Sequence, residues 1–435
     1  MNVTPESTGN HSPIAAAIGN TVEWFDFAVY GYFAESIGAA FFPQDSPTLQ
    51  FLSAFGVFAA GYLMRPIGGL VLGPIGDMFG RRILLLLSVS IMGSCSLLIA
   101  LLPTTDQIGP VAAVLLVLLR MIQGLSVGAE YSSSIAWSVE TSPQQTRGFL
   151  ASVTAAGATV GFISGSLVAT VIDHFIPITA MNAGGWRIPF VIGSLLSLLA
   201  VMLRRSIQDS RPEGASSSIA GQWRQVMADW PAMLRLMGTV GVATAVFYAV
   251  GVYYVDEASR LDPANASLYN GINAVVQLFG LGMALLAGRC ADRFSPLPLV
   301  RRSLLISMAL MVPGLLVLAR GGPVCFAIGQ AMVLLPIFFY SGITPLLHPL
   351  FFPGGSRCAS FSFSHSLVVA VVGGTASLLS TWLKDLKGWP SGLILYLLMQ
   401  ADPSVLGLVF QPPAFTLPGT GLNKLRVQGT HPSRR

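Results

Sequence analysis

The chain contains the stretch Gly73-Pro74-Ile75-Gly76-Asp77-Met78-Phe79-Gly80-Arg81-Arg82, a charged, glycine-rich turn between two long apolar runs. A weaker copy, Gly288-Arg289-Cys290-Ala291-Asp292-Arg293-Phe294, lies at the corresponding point of the second half. Glycine lets two helix ends approach closely, and Asp beside Arg supplies a local ion pair at a membrane–water boundary. Two such turns at corresponding points are typical of a membrane protein built from parallel repeats.

The composition is that of a membrane protein. Of the 435 residues, 53% are hydrophobic and only 10% are charged, whereas a soluble domain carries about a quarter charged residues. Four scattered cysteines indicate neither a disulfide framework nor a metal site. The net charge of +5 comes from arginines dispersed between apolar segments, so we expect a lipid bilayer as partner and no nucleic acid. No cleavable signal peptide is apparent, and we expect the first helix to be an uncleaved anchor.

Runs that cross about 30 Å of hydrocarbon need roughly 20 apolar residues each. Twelve such runs are present, six on either side of a polar segment. They lie at about 14–41, 49–72, 83–102, 110–138, 148–171, 187–203, 233–254, 268–288, 302–319, 323–347, 360–382 and 391–410. The sequence therefore predicts an all-α membrane protein with twelve transmembrane helices in two pseudo-symmetric six-helix bundles. The bundles are predicted at 1–203 and 233–410, with a cytoplasmic linker at 204–232 and a disordered cytoplasmic tail at 411–435.

Positive charges outside the predicted spans are distributed unevenly. If the N-terminus is inside, seventeen Lys and Arg lie in the inner segments and five in the outer ones. The outer five are Arg187, Arg260, Arg320, Lys384 and Lys387. Cytoplasmic loops carry the excess of Lys and Arg in membrane proteins, so both termini are predicted to be cytoplasmic.

Ionisable residues inside the predicted spans are few and lie almost entirely in the first half, and each is a functional candidate because burial in lipid is costly. Glu23 and Asp26 are three residues apart and share a helix face with Tyr30 one turn further on. Repulsion between two carboxylates in a medium of low dielectric constant favours a proton on one of them. We predict proton coupling at Glu23 and Asp26 and a substrate contact at Tyr30. The alternative is that one acid pairs with Arg65 or Arg120 to hold helices together.

A second polar group lies on the fourth span. Arg120, Gln123 and Glu130 fall near one side of the helix, and Gly124 and Gly128 form a seam for close helix packing. An arginine facing a cavity can bind a carboxylate or release a proton from a neighbouring acid. We predict substrate contacts at Arg120 and Gln123 and proton coupling at Glu130. The alternative is a fixed structural pair between Arg120 and Glu130.

Three further substrate contacts are predicted at Arg65 in the second span, Gln277 in the eighth and His365 in the eleventh. A lone membrane histidine is more often a hydrogen-bonded packing residue, which is the alternative for His365. Glu140 and Arg147 bracket the inner end of the fourth span, where an ion pair would be structural or gating. The predicted gating residues are Gly73, Asp77, Gly80, Arg81, Glu140, Arg147 and Asp292.

Several motifs together resemble the metabolite–proton symporter family of the major facilitator superfamily, and the resemblance runs from Gly19 to about Trp382. They are Gly19-Asn20-Thr21-Val22-Glu23-Trp24-Phe25-Asp26-Phe27, Arg65-Pro66-Ile67-Gly68-Gly69, the Gly73–Arg82 turn, Arg120-Met121-Ile122-Gln123-Gly124-Leu125-Ser126-Val127-Gly128-Ala129-Glu130-Tyr131, and Gly185–Phe190. Members resemble carriers of 2-oxoglutarate, citrate, shikimate, dicarboxylates, and proline or betaine. The resemblance implies the major facilitator fold, alternating access and symport with protons.

Departures from the family pattern cluster in the second half and the linker. Ser295 and Pro296 replace the Gly-Arg that follows Asp292 in the pattern, and Leu350 stands where the family has Glu before Phe-Pro. Further departures are Ser366, Ser377 and the stretch Gln208-Asp209-Ser210. They motivate an alternative from another class, a degenerate carrier that acts as a non-transporting membrane sensor.

We therefore expect a monomeric secondary transporter of the bacterial inner membrane that imports a small carboxylate, such as 2-oxoglutarate or citrate, with protons. The main rival is a proline or betaine symporter, whose substrate carboxylate would use the same arginines. An antiporter of the same fold stays open. No paired-histidine metal spacing, Gly-x-Ser-x-Gly elbow or nucleotide-binding loop after a strand is present, so we predict no enzyme, no metal and no cofactor other than the coupling proton.

Overall fold

The structure is a computed structural model that describes residues 13–42, 47–207, 209–210, 218–352 and 354–387. All regular secondary structure in those ranges is helical. The first half contains α1 (Pro13–Tyr32), α2 (Ala34–Phe41), α3 (Pro47–Phe79), α4 (Arg81–Leu101), α5 (Thr105–Ile108), α6 (Val111–Val127), α7 (Glu130–Thr141), α8 (Arg147–Phe175), α9 (Ile178–Asn182) and α10 (Ile188–Arg204).

The second half is built in the same way, after the short helix α11 (Ile219–Ala228). It contains α12 (Trp230–Val246), α13 (Tyr254–Leu261), α14 (Ala266–Arg293), α15 (Pro296–Leu318), α16 (Pro323–Leu347), α17 (Arg357–Val368) and α18 (Gly374–Lys387). Short 3₁₀ segments lie at Gly185–Arg187, Pro263–Asn265 and His348–Phe351, and π-helical turns at Phe247–Tyr253 and Val369–Gly373. The π turns connect α12 to α13 and α17 to α18, so that each pair forms one continuous helical segment.

Ten helical segments in the described ranges are long and apolar enough to cross a bilayer, and they correspond to predicted spans two to eleven. The predicted first span, 14–41, is interrupted at Phe33 between α1 and α2. Its residues are mostly buried, because α1 packs against α8 and α10 inside the first half. The predicted twelfth span and the tail at 411–435 lie outside the described residues.

The fourth predicted span also divides, into α6 and α7 at Gly128 and Ala129. Gly128 lies directly against the backbone carbonyl of Arg65 in α3, where a Cβ atom would overlap it. The interruption therefore falls at a point of close packing against α3, and a new helix starts at Glu130.

The boundary predicted at 204–232 differs from the observed helices at both ends. Arg204 is the last residue of α10 and is fully buried, and α12 already begins at Trp230. Part of the predicted linker, 208 and 211–217, lies outside the described residues.

The first half has an apolar core of its own, and the core of the second half extends into the first half. One core lies within the first half, around Phe25, Val29 and Phe190. A larger one fills the second half and includes Ile135 and Ala151 from the first half. The two halves therefore share buried apolar surface.

Large apolar side chains remain exposed on the outer faces of the helices. Leu63, Leu101 and Phe175 are 65%, 67% and 76% exposed. A soluble protein rarely exposes so much contiguous apolar surface, and a bilayer would cover it.

Helix α3 packs against α17 and α8 against α14, and α7 and α16 add further contacts between the halves. Gly69 and Gly73 allow the first of these contacts, because a Cβ atom at either would overlap the backbone of Phe363 or Ala359. The Gly73–Arg82 turn therefore lies against the start of α17.

Candidate functional site

A cavity of about 240 Å³ lies between the two halves. The first half contributes Trp24, Arg65, Tyr131 and Thr159, and the second half contributes Thr239, Phe247, Tyr248, Phe338, His348 and His365. Among the described residues that line the cavity, Arg65 alone carries a permanent charge. The site is thus a mostly apolar cavity that includes several aromatic rings and one permanently charged group.

Arg65 of α3 forms an ion pair with Glu23 of α1. Its Nη2 lies 2.6 Å from Oε1 of Glu23, and both side chains are almost completely buried. The guanidinium also lies 5.7, 5.4 and 5.0 Å from the ring centres of Trp24, Phe27 and Tyr62, within the range of cation–π attraction.

Three N–H groups at this end of the cavity are buried without a hydrogen-bond acceptor. They are Nε and Nη1 of Arg65 and the indole Nε1 of Trp24. A buried donor without an acceptor costs free energy, so an anionic or carbonyl oxygen entering the cavity would be favoured there.

A second buried ion pair joins α1 to α6. Nη1 of Arg120 donates to Asp26 at 2.6 Å and to Gln123 at 2.9 Å. Ser96 donates to the same carboxylate at 2.7 Å, and the Gln123 amide donates to it at 3.3 Å. Asp26 therefore forms a compact polar network with Arg120 and Gln123 inside the first half, which is the pairing given as the alternative for these acids.

The network does not reach the cavity described above. Tyr30 donates its hydroxyl proton to the carbonyl of Ala54 at 3.0 Å and lies under Arg120, whose guanidinium is 4.2 Å from its ring centre. Tyr30, Arg120 and Gln123, predicted as substrate contacts, are not among the residues that line the cavity. The Phe27 ring contacts both ion pairs, with the Arg65 and Arg120 guanidinium groups 5.4 and 5.2 Å from its centre.

Glu130 does not pair with Arg120, which the sequence left open as an alternative. Its Oε1 lies 2.7 Å from Nη2 of Arg204, and both side chains are buried. The other guanidinium nitrogens of Arg204 donate to the carbonyls of Ala15 and Leu85 at 2.9 and 3.1 Å. Helix α6 ends before Glu130, so the two polar residues lie on different helices and face different neighbours.

Of the two substrate contacts predicted in the second half, His365 lines the cavity and Gln277 does not. His365 lines the cavity, and its ring stacks on Tyr131 of the first half with the ring centres 4.5 Å apart. Gln277 is half-buried on α14 and is not among the lining residues. A polar contact elsewhere on that helix joins Asn273 to Gln330, whose amide donates to it at 2.9 Å.

The predicted gating turn is assembled on one face of the protein. Asp77 and Arg81 form a fully buried pair at 2.7 Å, and Arg81 reaches Glu140 at 3.0 Å. Glu140 in turn accepts from Arg357 of the second half at 2.8 Å. We call Asp77, Arg81, Glu140 and Arg357 the lock, because these charges join the two halves.

Glu140 thus pairs with Arg81 and Arg357, and not with Arg147 as expected. Arg147 is only seven residues from Glu140 in the sequence, but it begins a new helix. Its guanidinium donates to the carbonyl of Ser142 at 3.5 Å. Gly80 supports the turn, because its φ of +105° is in the region that favours glycine. Ser210 adds a hydrogen bond from the linker to Glu140 at 2.8 Å.

The second turn makes the symmetry-related contact with fewer charges. Asp292 accepts from the backbone amides of Gly148 and Phe149, at 2.6 and 2.9 Å, at the start of α8. Where Asp77 has Arg81 four residues on, Asp292 has Pro296, the first residue of α15. The second turn therefore lacks an equivalent of the Asp77–Arg81 ion pair.

Sequence reasoning did not assign a role to the cavity residues Trp24, Thr239 and His348. It also placed Arg204 in the linker and did not assign Arg357 a role. The pairing of Arg357 had no local signal, because its partner Glu140 lies 217 residues away. Trp24 did have a local signal, since it directly follows Glu23 in the sequence. In the described residues, no group of three or more His, Cys, Asp or Glu side chains is arranged to hold a metal ion.

Residues 13–212 match the family model described as Sugar (and other) transporter. The chain is 33% identical over 398 residues to the alpha-ketoglutarate permease of Escherichia coli (strain K12), which covers 89% of this chain and 90% of that protein. It is 31% identical over 449 residues to the ectoine/proline transporter ProP of Corynebacterium glutamicum, which covers 97% of this chain and 87% of that protein. A putative proline/betaine transporter of Staphylococcus aureus (strain COL) is 30% identical over 413 residues, with 91% and 87% covered.

Solved structures show the same fold. The proton:xylose symporter XylE superimposes with a TM-score of 0.73 at 18% identity, over 92% of this chain and 95% of that one. The human organic anion transporter MFSD10 superimposes with a TM-score of 0.65 at 14% identity, over 93% and 100%. Together with the multi-span helical architecture and the full-length relatives, these matches assign the chain to the major facilitator superfamily of membrane transporters, in its metabolite:proton symporter family.

Proposed function

We propose that this transporter imports a small carboxylate-bearing metabolite together with protons, by alternating access of the cavity between Arg65 and His365 to the two sides of the membrane. The observation that supports this most directly is the state of Arg65. It lines the cavity, it is buried, and two of its guanidinium nitrogens have no acceptor. A carboxylate is the ligand that such a planar, permanently charged donor binds best.

The charge balance of the cavity favours a compact zwitterion, such as proline or betaine. Arg65 supplies the permanent positive charge of the lining, and several of the other large lining groups are aromatic rings. The carboxylate of a zwitterion would bind Arg65, while its cationic nitrogen would lie near the aromatic faces. Names of relatives at about the same identity include proline, ectoine and betaine transporters.

The second candidate is an organic acid such as 2-oxoglutarate or citrate, and His365 is the observation that favours it. A second carboxylate in the cavity would need a further hydrogen-bond donor, and the neutral imidazole of His365 offers one ring N–H. The alpha-ketoglutarate permease among the relatives is consistent with this candidate.

The Glu23–Arg65 pair supplies a mechanism of coupling. With Glu23 ionised, the guanidinium is held at 2.6 Å by the protein's own carboxylate. A proton on Glu23 removes that charge and frees Arg65 for the carboxylate of the substrate. Because the two carboxylates compete for one guanidinium, substrate binding favours a protonated Glu23, and the two uptakes are thermodynamically linked.

Asp26 and Arg120 form a second pair of the same kind, 94 residues apart in the chain and 2.6 Å apart in space. We propose that Asp26 carries the coupling proton when the cavity reopens. Glu130, which is paired with Arg204, is proposed as a third site in the same half. The face that bears the lock is proposed to be cytoplasmic, in a monomer of the bacterial inner membrane, in agreement with the charge distribution of the loops.

Reconstitution into proteoliposomes tests the proposal. Uptake of labelled proline, betaine, 2-oxoglutarate and citrate is measured with and without an inward proton gradient, and with a protonophore as control. Accumulation of at least one of them against its gradient, abolished by the protonophore, supports the proposal. Uptake that ignores the proton gradient contradicts symport, and binding without counterflow would support a sensor instead.

A further inference from the structure

His348 begins the 3₁₀ turn that follows α16, and it lines the cavity from the second half. The side chain is 4% exposed. Its Nε2 lies 3.2 Å from the hydroxyl oxygen of Thr239, and its Nδ1 is buried without a hydrogen-bond partner. The proton-coupling scheme above does not use this group.

The hydrogen bonds of Thr239 fix which nitrogen of His348 carries the proton. The hydroxyl of Thr239 donates its single proton to the carbonyl of Leu236 at 2.8 Å. The same oxygen can then only accept from His348, so Nε2 of His348 is the donor. In the neutral ring, Nδ1 must therefore carry a lone pair and act as an acceptor.

The surroundings of the ring favour the neutral form. Its ring neighbours are Phe361 and Phe351, with ring centres 5.6 and 6.4 Å away. Among the described residues, no carboxylate lies within ion-pair distance of His348. A charged imidazole in such apolar surroundings would be costly, so Nδ1 is a buried acceptor that lacks a donor.

We propose that His348 determines specificity, by accepting a hydrogen bond from an N–H or O–H group of the substrate. This inference rests on the proposed function and narrows the substrate to carboxylates that also carry such a donor: primary or secondary amino acids and hydroxy acids. The cavity-lining residues include groups that are complementary to that class. Arg65 and Trp24 offer donors without acceptors, and His348 offers an acceptor without a donor.

The inference separates substrates that the Arg65 end alone would treat alike. A fully N-methylated amino acid has a carboxylate and a cationic nitrogen but no N–H, so it would leave Nδ1 unsatisfied. A keto acid also lacks an N–H or alcohol O–H group that could donate to Nδ1. A site built to hydrogen-bond a substrate group rejects the analogue that lacks it, because the buried protein group is then left unpaired.

The experiment compares matched ligands on the purified, full-length protein. One pair is proline and N,N-dimethylproline, which differ in the N–H donors, and the other is citrate and tricarballylate, which differ in one hydroxyl. Affinity is measured by titration of tryptophan fluorescence, and uptake is measured in proteoliposomes. Wild-type protein is expected to bind the donor-bearing member of one pair about tenfold or more tighter.

Variants assign the preference to His348. His348→Phe is expected to bind both members of the pair with similar affinity, whereas His348→Asn, whose amide oxygen can accept near the position of Nδ1, is expected to keep part of the preference. Thr239→Val removes the acceptor of the Nε2 proton and is expected to weaken the preference, and Thr239→Ser, which keeps the hydroxyl, is the matched control. Thermal unfolding in detergent shows whether each variant is folded.

Failure of the inference and failure of the proposed function give different results. Equal affinity of wild-type protein for both members of each pair, or an unchanged preference in folded His348→Phe, overturns the role of His348. Both results are obtained from binding and do not depend on protons. Binding with the expected preference but without proton-dependent uptake supports the inference and contradicts symport, and no binding of any of these carboxylates contradicts both.

Discussion

Asp77 and Cys358 lie 281 residues apart in the chain, and the carboxylate of Asp77 accepts the backbone amide proton of Cys358 at 2.9 Å. The next amide, that of Ala359, donates to the same carboxylate at 3.0 Å. A carboxylate at the start of α17 satisfies amides that have no partner within the helix and complements the helix dipole. One side chain of the first half therefore holds the end of a helix of the second half.

Replacement of Asp77 by asparagine is expected to loosen the lock, and we call the arrangement in which the lock is assembled the closed state. The charged acceptor is lost at two amides and at Arg81, and each charge-assisted bond contributes about 1.5–3 kcal/mol, so the closed state should be weakened about tenfold or more. Reaction of the buried Cys358 thiol with maleimide, in a background without Cys95, Cys290 and Cys325, measures the opening. Labelling should accelerate in Asp77→Asn.

Asp292→Asn is the matched control for this variant. Asp292 also bonds two amides of the opposite half, but at α8, away from Cys358. An equal acceleration of labelling in both variants would mean that Asp77 has no specific hold on α17, and no acceleration in either would contradict the lock.

Substitution of Arg65 separates the charge from the planar donor. Arg65→Lys keeps a cation near Glu23 but loses the guanidinium fork, so we expect KM for uptake to rise about tenfold or more, with a small change in stability. Arg65→Gln leaves Glu23 buried without its partner, and breaking such a pair costs about 3–5 kcal/mol. The double variant Glu23→Gln/Arg65→Gln should recover the melting temperature of the protein but not uptake. Unchanged KM in Arg65→Lys would remove Arg65 from the binding site.

Asp26→Asn is expected to abolish the accumulation of substrate against its gradient, but not the exchange of substrate across the membrane. The amide keeps the shape of the side chain and bonds to Ser96 and Gln123, but it cannot bind and release a proton. Counterflow of substrate between equal concentrations needs no net proton movement and should persist. Ser96→Ala, which removes only the neighbouring hydroxyl, should retain accumulation. Full proton-driven accumulation in Asp26→Asn would exclude Asp26 as the proton carrier.

Gly19→Ala should destabilise the first half through the Glu130–Arg204 pair. A Cβ atom at Gly19 would overlap Oε1 of Glu130 and Nη2 of Arg204, so the buried pair has to separate. Loss of a buried ion pair through one partner costs about 3–5 kcal/mol, and a lower melting temperature in detergent is expected. Gly31→Ala lies on the same helix with no atom within 4 Å of the added carbon, and it should have little effect. Equal melting temperatures of the two variants would show that the pair does not support the bundle.

Sequence by itself determined the helices. Runs of about 20 apolar residues have one stable arrangement in a bilayer, and ten of the twelve predicted spans appear in the described residues close to their predicted limits. The duplicated turn fixed which points of the two halves correspond. Periodicity along α1 also identified Glu23 and Asp26 as buried candidates, because residues three apart share a helix face.

Only the tertiary structure decided the partners. Periodicity gives the face of a helix on which a charge lies, but not which neighbour meets that face or at what height. Glu23 could therefore not be matched with Arg65, nor Asp26 with Arg120, from spacing alone. Glu130 pairs with Arg204 and Glu140 with Arg357 because packing brings distant helix ends together, and a buried charge takes the opposite charge that packing brings within reach.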